Sequence, residues 1–138
     1  MKIIELTQVQ REEIDEKLYE YDRTFMKKEM NGGVHIGIEV DGRLVAGLDA
    51  VMTSFRILYL STLFVDEEYR GMGLGRTPVE EMERRAAELG ADTIRLDTFS
   101  WQGKDFYSAM GYQIVGHYEN QEDGYEEYFF LKRIGSER

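Results

Sequence analysis

Cysteine is absent from this chain of 138 residues, and histidine occurs only twice, at His35 and His117. Without cysteine there can be no disulfide, no thiolate nucleophile and no zinc site built on thiolates. Two histidines are also too few for a histidine-rich metal centre. The sequence therefore predicts a protein that binds no metal.

Long hydrophobic runs are absent as well. Residues 1–6 read MKIIEL, so a lysine and a glutamate bracket only two isoleucines. Such a segment is too short and too charged for a signal peptide or a membrane span. We therefore expect a cytoplasmic protein that has no membrane partner.

Basic residues are outnumbered, because 17 Lys and Arg face 27 Asp and Glu and give a formal net charge of −10. A nucleic-acid-binding surface requires a basic face, so no nucleic-acid partner is expected. If the acidity extends into a cleft, it would attract cationic amines. The length, with 42% hydrophobic residues, suits a single globular domain over residues 1–138.

The most informative stretch that is present is a glycine-rich turn. Residues 65–77 read VDEEYRGMGLGRT and place Gly71, Gly73 and Gly75 between a strand-like and a helix-like apolar run. A turn of this kind presents unpaired amides and the positive end of a helix dipole, which together suit a phosphate. Arg76 stands where a Walker loop needs lysine and where the dinucleotide fingerprint needs its third glycine. The remaining alternative is a capping turn without a ligand.

Two segments of the chain resemble one known family. The spacing Arg70-x-x-Gly73-x-Gly75 resembles the acetyl-CoA signature Q/R-x-x-G-x-G/A of the GNAT N-acetyltransferase superfamily. Residues 106–112, FYSAMGY, look like the F-Y-x-x-x-G-F/Y segment that lies further along in that superfamily. The resemblance implies an α/β (α+β) fold with a central mixed, mostly antiparallel sheet flanked by helices. It also implies a splayed strand pair that holds acetyl-CoA, and it makes a homodimer plausible.

The hydrophobic pattern predicts the order β-α-β-β-β-α-β-α-β-β. A first strand is predicted over residues 2–6, and a helix beginning near residue 8 has apolar positions at Val9, Ile14, Leu18, Tyr21 and Phe25. Further strands are predicted at residues 34–40, 44–52, 56–65, 93–99, 112–118 and 125–133, and further helices at 79–89 and 102–110. By the resemblance, the splayed strands are those ending at residue 65 and near residue 99. If the second helix begins near Leu74, Pro78 falls around its fifth position and removes one helical hydrogen bond.

The resemblance also implies which residues bind the cosubstrate. Main-chain groups of the glycine loop would surround the diphosphate, the strand before the loop would pair with pantetheine, and a residue after the fourth long strand would touch coenzyme A. The predicted cofactor-binding residues are Phe64, Val65, Arg70, Gly71, Met72, Gly73, Leu74, Gly75, Arg76, Thr77 and Ser100.

For the chemistry, Tyr107 matches the tyrosine that acts as general acid in the family, while Phe106 and Met110 are expected to pack in the core. The general base is less well marked. Asp97, near the end of its strand, is the first candidate and Asp49 the second. Thr62 stands where some relatives have a glutamate, which suggests proton removal through water. Trp101 is expected either to line the acceptor pocket or to pack under the last helix.

The sequence thus predicts an acetyl-CoA-dependent N-acetyltransferase whose acceptor is a primary amine, with a small cationic molecule as the favoured acceptor. A protein lysine or N-terminus is an alternative acceptor. Two alternatives from other classes remain: a regulatory module that binds acetyl-CoA without catalysis, and an interaction domain whose glycine loop only caps a helix.

Overall fold

Six strands form one sheet in the computed structural model, which describes residues 1–26, 31–53 and 55–135. The elements in chain order are α1 (Gln8–Arg23), β1 (Gly33–Val40), β2 (Arg43–Met52), β3 (Ile57–Val65), α2 (Arg76–Leu89), β4 (Thr93–Phe99), α3 (Lys104–Ala109), β5 (Gln113–Asn120) and β6 (Tyr125–Arg133). A short 3-10 turn, Glu67–Tyr69, precedes the glycine loop.

The sheet has the strand order β1-β2-β3-β4-β6-β5, and only β3 and β4 run parallel. These two strands pair over three positions, from Ile57↔Thr93 to Tyr59↔Arg95. Beyond that point β3 continues to Val65 and β4 to Phe99 without a shared ladder. The predicted mixed sheet, its flanking helices and its splayed strand pair are therefore confirmed.

The core lies on the face of the sheet that α2 and α3 cover. Alternate strand residues point into it because successive side chains of a strand face opposite sides. Fully buried members include Leu58, Met82, Ile94, Leu96 and Phe130. As predicted, Met110 is buried and Phe106 packs against this cluster.

The other side of the sheet is not covered by a helix in the described part of the chain. We call it the open face and define it by side chains that alternate with the core residues of β1–β4 and β6. These are His35, Asp49, Val51, Tyr59, Ser61, Arg95, Asp97 and Phe129. The surface is mixed in character, because ionisable groups alternate with exposed apolar side chains such as Val51 and Phe129.

The strand predicted over residues 2–6 is wrong. These residues form no strand, and Ile3, Ile4 and Leu6 are exposed. The run is short, and it has no sheet edge beside it with which to pair. The helix after it is confirmed, since Thr7 and Gln10 form a reciprocal capping box at its start. No residue of that helix is buried, however, so its apolar side chains are not part of the core.

The predicted loss of one helical hydrogen bond at Pro78 is confirmed, although α2 starts later than Leu74. Helix α2 begins at Arg76, with Gly75 as its N-cap, so Pro78 is the third helical residue. The amides on either side donate four residues back, from Thr77 N to Gly73 O and from Val79 N to Gly75 O, so the missing N–H of proline removes the bond to Leu74 O that would lie between them. The proline ring is buried beneath the helix start. At the other end, Gly90 closes α2 in the left-handed conformation, as predicted.

Candidate active site

The glycine loop leaves a run of main-chain donors free. Gly71 and Gly73 adopt φ values of 82° and 81°, a region that favours glycine. Within the described residues, the six amides from residue 71 to residue 76 donate to no protein acceptor. The next bonds, from Thr77 N to Gly73 O at 3.2 Å and from Val79 N to Gly75 O at 3.3 Å, begin the helix. With no acidic residue in its first turn, α2 also leaves the positive end of its dipole uncompensated.

Arg70 fixes this loop to the strand before it. Its Nε donates to the main-chain oxygen of Val65 at 2.8 Å, and its guanidinium lies 5.1 Å from the ring centroid of Phe64. Its direct contacts are thus with the protein. Arg76 is also exposed and pairs with Glu80 at 3.5 Å within the helix. The two arginines therefore differ in role, because only Arg70 holds the loop in place.

Phe106 connects the loop to α3. A Cβ built on Gly75 would lie 3.3 Å from Phe106 Cζ and 3.7 Å from Val65 Cγ2. The close approach of this ring leaves little room for a larger residue at position 75. Phe106 also makes an edge contact with Tyr107, with ring centroids 5.2 Å apart. The start of α2, the end of β3 and Tyr107 are thereby brought together.

Tyr107 is held among other aromatic rings. It is 7% exposed, and its ring lies 5.7 Å from Tyr112 and 5.9 Å from Phe130. Burial raises the pKa of Tyr107 to about 12, so the phenol remains protonated at neutral pH. Its hydroxyl has no hydrogen-bond partner among the described residues. Every fully buried polar side-chain atom in the described residues does have a partner, so the Tyr107 hydroxyl is not fully buried. The hydroxyl therefore keeps some access to solvent and is free to donate.

Asp97 lies on β4 and faces the open face. Its Oδ2 accepts from the hydroxyl of Tyr59, the last β3 residue paired with β4, at 3.4 Å. Burial raises the pKa of Tyr59, and the neighbouring charge of Asp97 raises it further. Asp97 alternates along β4 with the buried Thr98, which lies on the same side as α3. Tyr107 and Asp97 therefore lie on opposite faces of the sheet, where β3 and β4 separate.

The second carboxylate, Asp49, has a different environment. Its Oδ1 lies 2.9 Å from Nδ1 of His35 on the neighbouring strand. Both side chains are more than half exposed. Thr62, the position considered for water-mediated proton removal, is exposed and pairs across the ladder with Asp49. Asp49 and Asp97 therefore each have one side-chain partner, and of the two it is Asp97 that lies beside the point where β3 and β4 separate.

Ser100 and Trp101 follow β4. Ser100 Oγ accepts from the amide of Glu126 at 3.1 Å, while the amide of Ser100 donates to the Glu126 oxygen at 2.8 Å. Ser100 thereby joins the end of β4 to the start of β6. Trp101 is 67% exposed and stacks on Phe99, with ring centroids 4.8 Å apart. It therefore does not pack beneath the last helix.

Sequence reasoning missed Tyr59 and the anchoring bond made by Arg70. The partner of Asp97 depends on the register between β3 and β4, and no local sequence signal reports the register of a parallel pair. The bond from Arg70 to Val65 spans five residues and depends on the path of the loop. Among the described residues, no group of three or more His, Asp or Glu is arranged so that it could hold a metal ion, and no helix is long and apolar enough to cross a membrane.

A family model described as "Acetyltransferase (GNAT) family" matches residues 2–112 of this chain. The chain belongs to the GNAT acetyltransferase family. The match covers both motifs, the splayed strands and the loop between them.

Solved structures agree with this assignment. The crystal structure of an acetyltransferase from Bacillus cereus ATCC 14579 superimposes with a TM-score of 0.89 at 30% identity and covers 97% of this chain and 98% of that chain. A more distant aminoglycoside 6'-N-acetyltransferase, complexed with coenzyme A, has a TM-score of 0.67 at 20% identity and shares the fold over 85% of this chain and 80% of its own.

Curated relatives match over shorter stretches. Blasticidin-S acetyltransferase from Streptomyces morookaense is 28% identical over 67% of this GNAT chain and 68% of its own length. Thialysine N-epsilon-acetyltransferase from Bos taurus is 33% identical over 42% of the chain. The matched stretch spans only about a third, 35%, of that second relative.

Proposed function

We propose that this GNAT chain transfers an acetyl group from acetyl-CoA to the primary amine of a small cationic acceptor. The observation that carries the proposal is the run of six unpaired amides at the start of α2, beside the unpaired half of β3 and close to Tyr107. A turn that only caps the helix does not require these amides to be free, whereas a turn that binds a ligand does.

The loop fits a diphosphate. Amides from Gly71 to Arg76 would donate to its oxygens, and the hydroxyl of Thr77 at the second helical position would add another donor. Hydrogen bonds to a charged group contribute about 1.5–3 kcal/mol each in favourable settings. Phe64 and Val65, on the part of β3 that has no β4 partner, offer main-chain groups for pantetheine. Arg70 would act by holding this arrangement together.

Bound acetyl-CoA would supply an activated acetyl group, and the chain would supply the proton transfers. Tyr107 would donate a hydrogen bond to the departing sulfur. A phenol with a pKa of about 12 is a much weaker acid than a thiol, and complete proton transfer would be uphill by about 5 kcal/mol. Tyr107 therefore acts mainly by stabilising the charge that develops on sulfur.

Asp97 would accept the amine proton, directly or through water. Making a lysine-like amine neutral at pH 7 costs about 4.6 kcal/mol, so an acceptor for that proton is needed. The carboxylate of Asp97 lies where β3 and β4 separate, on the face of the sheet opposite Tyr107. An amine could approach the acetyl group from the Asp97 face. Tyr59 would orient the carboxylate through its hydrogen bond.

The acceptor class is inferred from charge and kinship. A net charge of −10 favours a cationic molecule over an acidic metabolite. Two relatives are named for thialysine and blasticidin S, so these compounds, lysine and aminoglycosides form the first acceptor panel. Peptides with a free N-terminus or lysine test the alternative that the acceptor is a protein.

The test combines calorimetry with a thiol-release assay over that panel. We expect acetyl-CoA to bind and at least one amine to release free coenzyme A. Loss of one hydrogen bond to a charged group, about 1.5–3 kcal/mol, should make Tyr107→Phe lower kcat about 10- to 150-fold with unchanged acetyl-CoA affinity. The control is Tyr118→Phe, which removes a hydroxyl from exposed Tyr118 and should change neither value. Binding without turnover of any acceptor would indicate a regulatory module, and absence of binding would leave the loop as a cap.

A further inference from the structure

Helix α1 carries an apolar stripe that its own chain does not cover. Ile14, Leu18 and Tyr21 follow the spacing i, i+4, i+7 and fall within about 60° of the helix circumference. Phe25 lies two residues beyond the end of α1, and its ring centroid is 5.3 Å from that of Tyr21. All four are 51–64% exposed. Val9 lies about 140° away from Ile14 and is not part of the stripe. We call these four residues the α1 stripe.

The helix is well specified but unsupported. Its capping box and its i,i+4 pair between Glu13 and Lys17 favour helix locally. An isolated helix of 16 residues is nevertheless marginal in water, and helices in proteins gain most of their stability by packing an apolar face. Among the described residues, α1 makes no extensive contact with any other helix or strand. Within the described part of this chain, α1 therefore lacks the packed face that would stabilise it.

The same chain offers a surface that lacks a cover. The open face spans β1 to β4, and each of these strands is 7–10 residues long. At about 3.3 Å per residue and 4.8 Å per strand, it measures roughly 30 Å by 15–20 Å. Helix α1 is about 24 Å long and 10 Å wide. Gly37 and Gly47 pair directly across β1 and β2, and the exposed side chain of Leu44 lies against Gly37.

We propose that two copies of this chain form a dimer in which the α1 stripe of each copy lies on the open face of the other. Exchange is reciprocal, as a two-fold axis requires. Four helix footprints of about 240 Å² give about 1,000 Å² of projected area, and accessible area exceeds projected area. The total is therefore close to the lower limit of specific interfaces, about 1,200 Å².

Pairing of α1 with α1 is the weaker arrangement. The stripe provides four contact positions, about two heptads, whereas stable coiled coils need three or four heptads. It would also leave both open faces in water. Exchange covers the helix and the sheet together, and it brings the partner's α1 to the face that carries Asp97.

Because the chain has no cysteine, single thiols can be placed without background. Leu18→Cys marks the stripe and Ser61→Cys marks the open face. A short bis-maleimide should join an equimolar mixture of the two variants into a species of twice 16.1 kDa, while each variant alone remains uncrosslinked. Crosslinking of Leu18→Cys alone would show α1–α1 pairing. An intrachain link in the double variant would show that α1 folds back on its own sheet, and either result overturns the proposal.

Oligomeric state provides the second readout. Leu18→Glu should convert a dimer into a monomer in analytical ultracentrifugation. Val9→Glu, the same change on the same helix but off the stripe, should leave the dimer intact. A wild-type chain that sediments as a monomer at micromolar concentration, or equal behaviour of the two variants, would overturn the proposal. Neither measurement depends on acetyl transfer.

Discussion

Substitution of Gly73 can distinguish two quantities: the energetic cost of its left-handed backbone and its contribution to ligand binding. At φ +81° an alanine would be strained, but a Cβ built there meets no atom within 4 Å. The substitution Gly73→Ala therefore requires no rearrangement of the protein around it. Gly124 matches it closely, with φ +77° and equally open space, in the turn between β5 and β6. Gly124→Ala is thus a control for backbone strain alone.

The expected magnitudes follow from this comparison. Left-handed backbone costs a residue with a Cβ about 1–2 kcal/mol. For a chain of this size, each kcal/mol lowers Tm by about 3 °C, so both variants should lose about 3–6 °C. Only Gly73→Ala places a methyl group beside the free amides. Loss of one charge-assisted bond of about 1.5–3 kcal/mol would weaken coenzyme A binding about 10- to 150-fold.

Differential scanning fluorimetry and calorimetric titration with coenzyme A measure the two quantities. Equal losses of Tm with a selective loss of affinity in Gly73→Ala would support a ligand at the loop. If both variants bind coenzyme A as tightly as the wild type, the amides do not hold its diphosphate. If affinity falls equally in both, the effect reflects stability and the argument from the loop fails.

Three further results are expected. Arg70→Ala should cost about 1–2 kcal/mol and weaken coenzyme A binding, because it removes the bond to the end of β3, whereas Arg76→Ala should cost about 0.5 kcal/mol or less in chemical denaturation. Lys132→Met should lower stability by about 2 kcal/mol, since Lys132 pairs at 3.1 Å with Glu83, which is 17% exposed; an unchanged Tm would contradict this. Burial raises the pKa of Tyr107 to about 12, so its contribution to stability is present below about pH 10 and is lost as pH rises through 12. A decline of kcat near pH 8.5 that disappears in Tyr107→Phe would refute that assignment.

Local patterns were sufficient where the chain interacts with itself over short distances. The glycine loop, the stop of α2 at Gly90 and the strands on either side could be predicted from turn residues and alternation. The family resemblance added the splay between β3 and β4. The start of α2 was misplaced by two residues, but the hydrogen bond missing at Pro78 could be predicted because proline has no N–H to donate.

Features that depend on tertiary packing could not be predicted. Helical periodicity showed that α1 would have apolar residues, but periodicity does not say whether a core lies beneath them. Asp97 could be proposed as a base, whereas its bond to Tyr59 required the register of a parallel pair. Likewise, the ring of Phe106 against Gly75 joins segments about 30 residues apart, and no local propensity encodes that contact.

The brief ladder between β3 and β4 divides the sheet into two three-stranded halves. Three residue pairs between β3 and β4 are the main-chain ladder that joins the two halves. A molecule that hydrogen-bonds along the free edge of β3 and reaches the start of α2 would hold the two halves of the sheet together where this ladder is short. On cosubstrate binding, amide hydrogen exchange at the β3–β4 ladder should then slow more than exchange at the β1–β2 hairpin. The bound ligand would in this way stabilise the junction between the two halves of the sheet.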